Sequence, residues 1–372
     1  MFSRIEKYLK ERVNDVVFIH LKDGKTFDVK GFVLDDSIPL PIPINEVVDK
    51  VKGESEVKDI SLLKVIQGMV YIIGVDSGFI HNKTYKDFLL NHDENIIKVV
   101  LDQGFRLIEA GNKRDALICF KSCLYIDDKD LDAMYNYARC CEELAVELAE
   151  NPVKDFEEEA IEIFEIITEL YPDFSLAYYH LGFHYANKGL YKKAQIIWEK
   201  SLEKGVDENK EYEIMNKLSE INYKVQYEEG YNLVFSGRPD EALDKLLPLE
   251  ERYPEWWNLQ FFVGLSYRQL TNFEEALKHF EKAYRMKPSQ TEILNEIGLC
   301  NISLGRFDEA IKFFKKALSM KENDAEILCN LGIAYLQMEE IELAEEYVAK
   351  ALKINPDDEI ARTWMNKIKS MS

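Results

Sequence analysis

Four glycines, Gly230, Gly264, Gly298 and Gly332, recur 34 residues apart, and Ala242, Ala276, Ala310 and Ala344 keep the same interval. A chain with such a period is a stack of copies of one supersecondary unit, because a unit this short cannot bury a core alone. Each glycine precedes its alanine by 12 residues, and Phe280 and Phe314 follow their alanines by four. Pro254, Pro288 and Pro356 fall 24 residues after Gly230, Gly264 and Gly332. Small residues suit places where two helices cross closely, and large apolar residues at i, i+3 and i+4 fill the space beside them. Proline ends the second helix, which it cannot continue. The unit is therefore expected to be a helix–turn–helix, as in the segment from Trp257 to Gln290.

The last copy carries Leu331-Gly332, Tyr335, Ala344, Ala351 and Pro356, and in this pattern the unit resembles the tetratricopeptide repeat. The same frame places earlier copies at 97–130 (Gly104, Ala116, Phe120), 131–174 (Ala138, Ala160, Phe164, Pro172) and 175–208 (Gly182, Tyr185, Ala194, Trp198). Ala138 and Ala160 are 22 residues apart, which predicts longer helices around Asn151-Pro152. Gly182 and Gly230 are 48 apart, which predicts a long helix from about Asp207 to Phe235. Both departures are expected to bend the stack. The resemblance implies a mainly α chain: a right-handed superhelical solenoid of seven repeats, grouped as 91–208 and 209–358. Ile360, Trp364 and Ile368 give 359–372 one apolar face, suited to a capping helix.

Residues 1–90 fall outside the frame and are expected to form a small α+β domain of unassigned role. A short helix at about 2–12 precedes the alternating run Val16–Leu34, which reads as a β-hairpin turning at Asp23-Gly24. Pro39, Pro41 and Pro43 withhold alternate backbone donors, so this segment is expected to be an extended tether or an edge strand. Helices are expected at 45–52 and from about 58 into the apolar segment Val65–Val75.

Composition excludes several functions. The longest run free of charged residues, Phe174–Asn187, has 14 residues, too short for a membrane span. The N-terminal MFSRIEKYLKER lacks the apolar stretch of a secretion signal, and six cysteines show no framework spacing, so a reducing cytoplasm is expected. A net charge of −21 argues against binding nucleic acid. Residues 1–90 account for −1 of it (13 basic, 14 acidic) and the remainder for −20. No phosphate loop, His-Glu-x-x-His or Gly-x-Ser-x-Gly motif is present in the sequence. Asp128, Asp130 and Asp132 begin like a calcium loop, but Ala133 and Arg139 stand where glycine and glutamate are required. His180 and His184 are spaced to share a metal, yet the sequence offers no third ligand, and packing explains them better. Cys119, Cys123, Cys140 and Cys141 read as small buried hydrophobes rather than a thiolate cluster. His20, Asp23, Asp28 and His81 show no catalytic spacing. Neither a metal nor a cofactor is expected.

In tetratricopeptide proteins, positions 2, 5, 9, 12 and 13 of each repeat face a concave groove. The resemblance assigns that groove eight aromatics here: Phe105, Tyr135, Tyr179, Phe183, Tyr227, Tyr231, Phe235 and Phe261. The candidate partner-binding set is Tyr135, Asn136, Arg139, Tyr179, Phe183, Tyr227, Tyr231, Phe261, Arg268, Asn295 and Asn330. Asn295 and Asn330 are placed to hydrogen-bond a peptide backbone. Position 5 never holds lysine, which disfavours the carboxylate clamp of co-chaperone relatives. The expected function is a non-enzymatic scaffold or adaptor that binds a peptide or helix of a partner protein. The alternative is a regulatory receptor for a short signalling peptide, with residues 1–90 as its effector.

Overall fold

The computed structural model describes residues 4–22, 24, 26–44, 61–147 and 151–371. Its contacts divide the chain into two compact units, Met1–Met215 and Asn216–Ser372.

Unit 1 begins with α1 (Glu6–Leu9) and four short strands, β1 (Val16–Ile19), β2 (Phe27–Val29), β3 (Phe32–Leu34) and β4 (Leu40–Pro43). The hairpin lies elsewhere than expected. β2 pairs with β3 across Lys30-Gly31, whose φ angles of 51° and 84° suit a two-residue turn between twisted strands. Gly24 instead belongs to a loop, its N–H donating to Asp36 Oδ2 at 2.7 Å. β1 pairs with β4, the proline-rich segment, in the register Val17↔Ile42 and Ile19↔Leu40. Pro41 and Pro43 take the intervening positions, where a two-stranded ladder requires no donor. The expected helix at 45–52 lies outside the described residues. The next one runs as α2 (Leu62–Val75), followed by α3 (Asn82–His92).

The repeats follow as helical pairs: α4 (Ile96–Glu109) with α5 (Lys113–Ile126), α6 (Leu131–Glu147) with α7 (Asn151–Leu170), and α8 (Ser175–Asn187) with α9 (Tyr191–Lys204). The ten extra residues of the second copy lengthen both its helices, to 17 and 20 residues. The long helix is α10 (Glu208–Phe235), and the boundary between units falls within it. Unit 2 continues with α11 (Pro239–Arg252), then α12 (Trp257–Gln269) with α13 (Phe273–Met286), α14 (Thr291–Ser303) with α15 (Phe307–Met320), and α16 (Ala325–Gln337) with α17 (Ile341–Ile354). The capping helix is α18 (Glu359–Lys369), started by Asp358 accepting from the Ile360 and Ala361 N–H groups.

Wherever the first helix carries its glycine, the repeat closes by the same contact. A Cβ on Gly298 would lie 2.4 Å from the Phe314 ring, and one on Gly182 would lie 2.2 Å from Trp198. Gly230 and Leu246, like Gly264 and Phe280, meet in the same way, so the first helix must be bare where the second places its largest side chain.

The N-terminal segment packs on the second helices of the first two repeats. A Cβ on Gly74 of α2 would fall 2.2 Å from the Ile118 carbonyl of α5. Arg4 pairs with Glu158 and Glu162, and Lys7 and Tyr8 both reach Asp155 at 2.7 Å, all three acids on α7. Beneath them Lys121 is buried, 4.0 Å from Glu6, and burial pushes its pKa down.

Candidate functional site: the faces of the first helices

Three loose ends of the sequence resolve locally. Asp130 accepts from the Ala133 N–H at 2.8 Å and so starts α6 instead of opening a calcium loop. All six cysteines are buried and unpaired, and burial pushes the Cys119 and Cys140 thiols up to about 12. His20, Asp28 and His81 have separate neighbours: the Asp36 carbonyl, the Gly31 N–H, and the rings of Phe79 and Tyr85. Asp23 lies outside the described residues.

In unit 1 the candidate residues gather between α6 and α8. The Tyr135 hydroxyl meets His180 Nε2 at 3.2 Å, and its ring stands edge-on to Phe174 and His180. His180 lies flat on Phe164, with centroids 4.8 Å apart and planes 3° from parallel. One carboxylate, Glu142, receives both imidazoles, His180 Nδ1 at 2.8 Å and His184 Nε2 at 2.6 Å. Burial raises the Glu142 pKa, but the hydrogen bonds from the two histidines outweigh it and hold the group at about 2. Among the described residues no group of three or more His, Cys, Asp or Glu side chains is arranged to hold a metal ion. Arg139 is spent on Glu143 at 3.0 Å, and the Asn136 amide donates to the Asp132 carbonyl at 2.7 Å. Tyr179 donates to Glu213 at 2.6 Å and stands edge-on to Phe183, which meets Trp198 in turn.

In unit 2 the aromatics form a ladder. Tyr223, Tyr227, Tyr231 and Phe235 succeed one another every four residues along one face of α10. Trp256 covers Tyr227 at 4.3 Å between centroids, and Phe262 of α12 touches Tyr227, Tyr231 and Phe235. Phe235 is 74% exposed, whereas Phe261 is half-buried against Phe280. Beyond the ladder the face turns polar. Arg268 meets Glu296 at 2.5 Å, and burial still pushes the Glu296 carboxyl up to about 7. Asn330 donates to Asn295, and Asn295, which is buried, donates to Glu326, both at 3.0 Å. The asparagine amides expected to meet a peptide are thus used between repeats.

The five groove positions miss the residues that tie these sites together. His180, Phe262, Glu296 and Asn330 all occupy position 6 of their repeats, counted from 175, 257, 291 and 325. Each reaches back to the preceding repeat: His180 to Tyr135 and Glu142, Phe262 to Tyr231, Glu296 to Arg268, and Asn330 to Asn295. Position 6 adjoins position 5 in the 34-residue frame, and the candidate set holds it at Asn136 and Asn330 but not at His180, Phe262 or Glu296.

Residues 301–368 match one family model of the tetratricopeptide repeat, and residues 227–289 and 263–325 match another. A TPR repeat-containing protein of Methanocaldococcus jannaschii is 24% identical over 243 residues, covering 55% of this chain and 40% of the relative. The chain thus spans under half the length of the curated relative it matches. Among solved structures, the APC/C hetero-tetramer Cut9–Hcn1 is similar at a TM-score of 0.42 and 16% identity, over 83% of this chain and 63% of that one. YrrB, described as a TPR protein with an unusual peptide-binding site, is similar at 0.28 and 20%, over 66% and 96%. A MamA structure is similar at 0.37 and 24%, over 49% and 97%.

Proposed function

Because this chain is a tetratricopeptide repeat protein, we propose that it is a non-enzymatic scaffold that holds a peptide or helix of a partner protein against the aromatic faces of its first helices. The observation that carries this reading is the ladder of unit 2. Tyr231 and Phe235 stand beside Phe262 with Phe235 mostly exposed. An exposed phenylalanine yields hydrophobic free energy when a partner covers it, and rigid rings fixed by their neighbours lose little entropy in the process. Tyr179 and Phe183 offer a comparable pair in unit 1. Partners engage such faces through apolar anchors, since Arg139, Arg268 and Asn330 are already held by Glu143, Glu296 and Asn295.

The test is capture from a native lysate with wild-type protein and a Tyr231→Ser/Phe235→Ser variant. Both side chains reach solvent, so the variant is expected to keep its helical content. A specific protein retained by the wild type and lost by the variant supports the reading. Identical captures by both overturn it.

A further inference from the structure

We propose that unit 2 carries a second docking site, a basic-rimmed cleft among α15, α16 and α17 that takes an acidic peptide segment bearing an aliphatic residue. The cleft has a volume of about 630 Å³, with Leu328 and Tyr347 in its wall and Ile354, 44% exposed, at its mouth. Lys315, Lys350 and Lys353 surround it against one carboxylate, Glu322, so three positive charges less one negative leave +2 on the lining. That is a local reversal in a chain with 68 acidic and 47 basic residues.

The three lysines differ in what they face. Lys350 is held by Glu346 at 2.5 Å. Lys315 lies 5.4 Å from the centre of the Tyr335 ring, and neither it nor Lys353 has a carboxylate partner among the described residues. Elsewhere in the unit, most lysines on second helices meet an acid, Lys278 and Lys312 one turn away at Glu275 and Glu309 and Lys282 across helices at Glu250, while Lys316 lies over the Tyr284 ring. Two cations without a carboxylate partner among the described residues, Lys315 with the Tyr335 side chain beside it, stand above an apolar wall and match a ligand whose acids flank a hydrophobic side chain. The wall selects an aliphatic residue, since a polar one would be desolvated there without a partner. Charge complementarity selects the flanks, because a basic segment is repelled at the rim. A nucleic acid carries charge along its whole length and would meet the −21 chain beyond these few lysines. No residue of the cleft belongs to the aromatic faces, so this site stands independently of the proposed function.

The experiment is fluorescence anisotropy of the full chain with a labelled Glu-Glu-Leu-Glu-Glu peptide at low ionic strength. Its counterparts replace glutamate by lysine, or leucine by serine. Saturable binding is expected, weakened at least about tenfold by K315E/K353E, less by K315Q/K353Q, and steeply by salt. Ile354→Ser is expected to weaken it about threefold, and the Tyr231→Ser/Phe235→Ser variant leaves it unchanged. The proposal falls if nothing binds up to about 1 mM, if the lysine peptide binds equally, or if folded K315E/K353E binds like wild type. It also falls if the Tyr231→Ser/Phe235→Ser variant abolishes binding, which would seat the peptide on the aromatic face.

Discussion

In unit 1, the step from one repeat to the next is made by Glu142, at position 12, and His180, at position 6 of the following copy. In unit 2 the same two positions hold Arg268 and Glu296, the acid and the base interchanged. The frame decides where the two side chains meet, and their surroundings decide the proton. Glu142 faces two imidazoles and stays ionised down to about pH 2 despite its burial. Glu296 faces a single guanidinium, and burial prevails. The face around Glu142 is thus anchored by charge, whereas the face around Glu296 sits beside a hydrocarbon ladder and a chain of neutral amides.

The comparison breaks most severely where backbone meets backbone. Gly74→Ala places a methyl 2.2 Å from the Ile118 carbonyl, an obstacle that cannot rotate away. We expect a loss of about 4 kcal/mol in unit 1, read by urea unfolding, with protease sensitivity appearing in residues 1–90. A stabilising Gly74→Ala, as helix propensity alone would give, would show that α2 does not press on α5.

The interchanged pair predicts opposite pH responses. The folded pKa of Glu142 lies below its usual 4.5, so its contribution is present above pH 4.5 and lost as pH falls through 2. That contribution is about 3 kcal/mol, and the stability gap between wild type and Glu142→Gln should close by that amount between pH 7 and pH 2. The folded pKa of Glu296 is raised to about 7, so wild type loses stability as pH climbs from 4.5 through 7. Glu296→Gln should therefore gain about 3 kcal/mol on wild type between pH 5 and pH 8, by thermal unfolding. If the two variants show parallel pH profiles, the charge asymmetry between the units is wrong.

The repeat closure gives a smaller effect. Gly298→Ala meets the edge of the Phe314 ring, which can tilt, so about 2 kcal/mol is expected in unit 2.

The same contrast explains what could be read without coordinates. The helical pairs, the insertion in the second copy and the extent of α10 followed from spacing, because one glycine and its large partner recur at a fixed interval. The matched family models cover 227–368, where that spacing is most regular. The sequence points to Asp23-Gly24 because Asp-Gly is the favoured local turn dipeptide, whereas Lys30 at the observed turn takes a φ of 51° that lysine rarely adopts. Choosing between them depends on β4 pairing with β1, a non-local fact. The clustering of Tyr227, Tyr231 and Phe235 along α10 was legible through the frame. The pairing of Asn295 with Glu326, and of Glu142 with two histidines, was not, since each depends on side chains from different repeats meeting at angstrom distances.

The smallest effect lies in the turns between paired helices. Unit 1 places Gly111 and Gly189 there, with φ of 77° and 75°. Unit 2 alternates Gly237, Thr271, Gly305 and Glu339, spaced 34 apart, with φ of 69°, 60°, 71° and 63°. Threonine is β-branched and strained in this region, while a Cβ at Gly305 would touch nothing within 4 Å, so the backbone alone distinguishes these sites. Thr271→Gly should stabilise unit 2 by about 1 kcal/mol, the relieved strain exceeding the entropy glycine adds to the unfolded chain. Gly305→Thr should cost about as much. Thermal unfolding of the pair gives shifts of opposite sign if the turns are equivalent across the unit. Two shifts of the same sign would mean that side-chain contacts, and not the left-handed backbone, govern these positions.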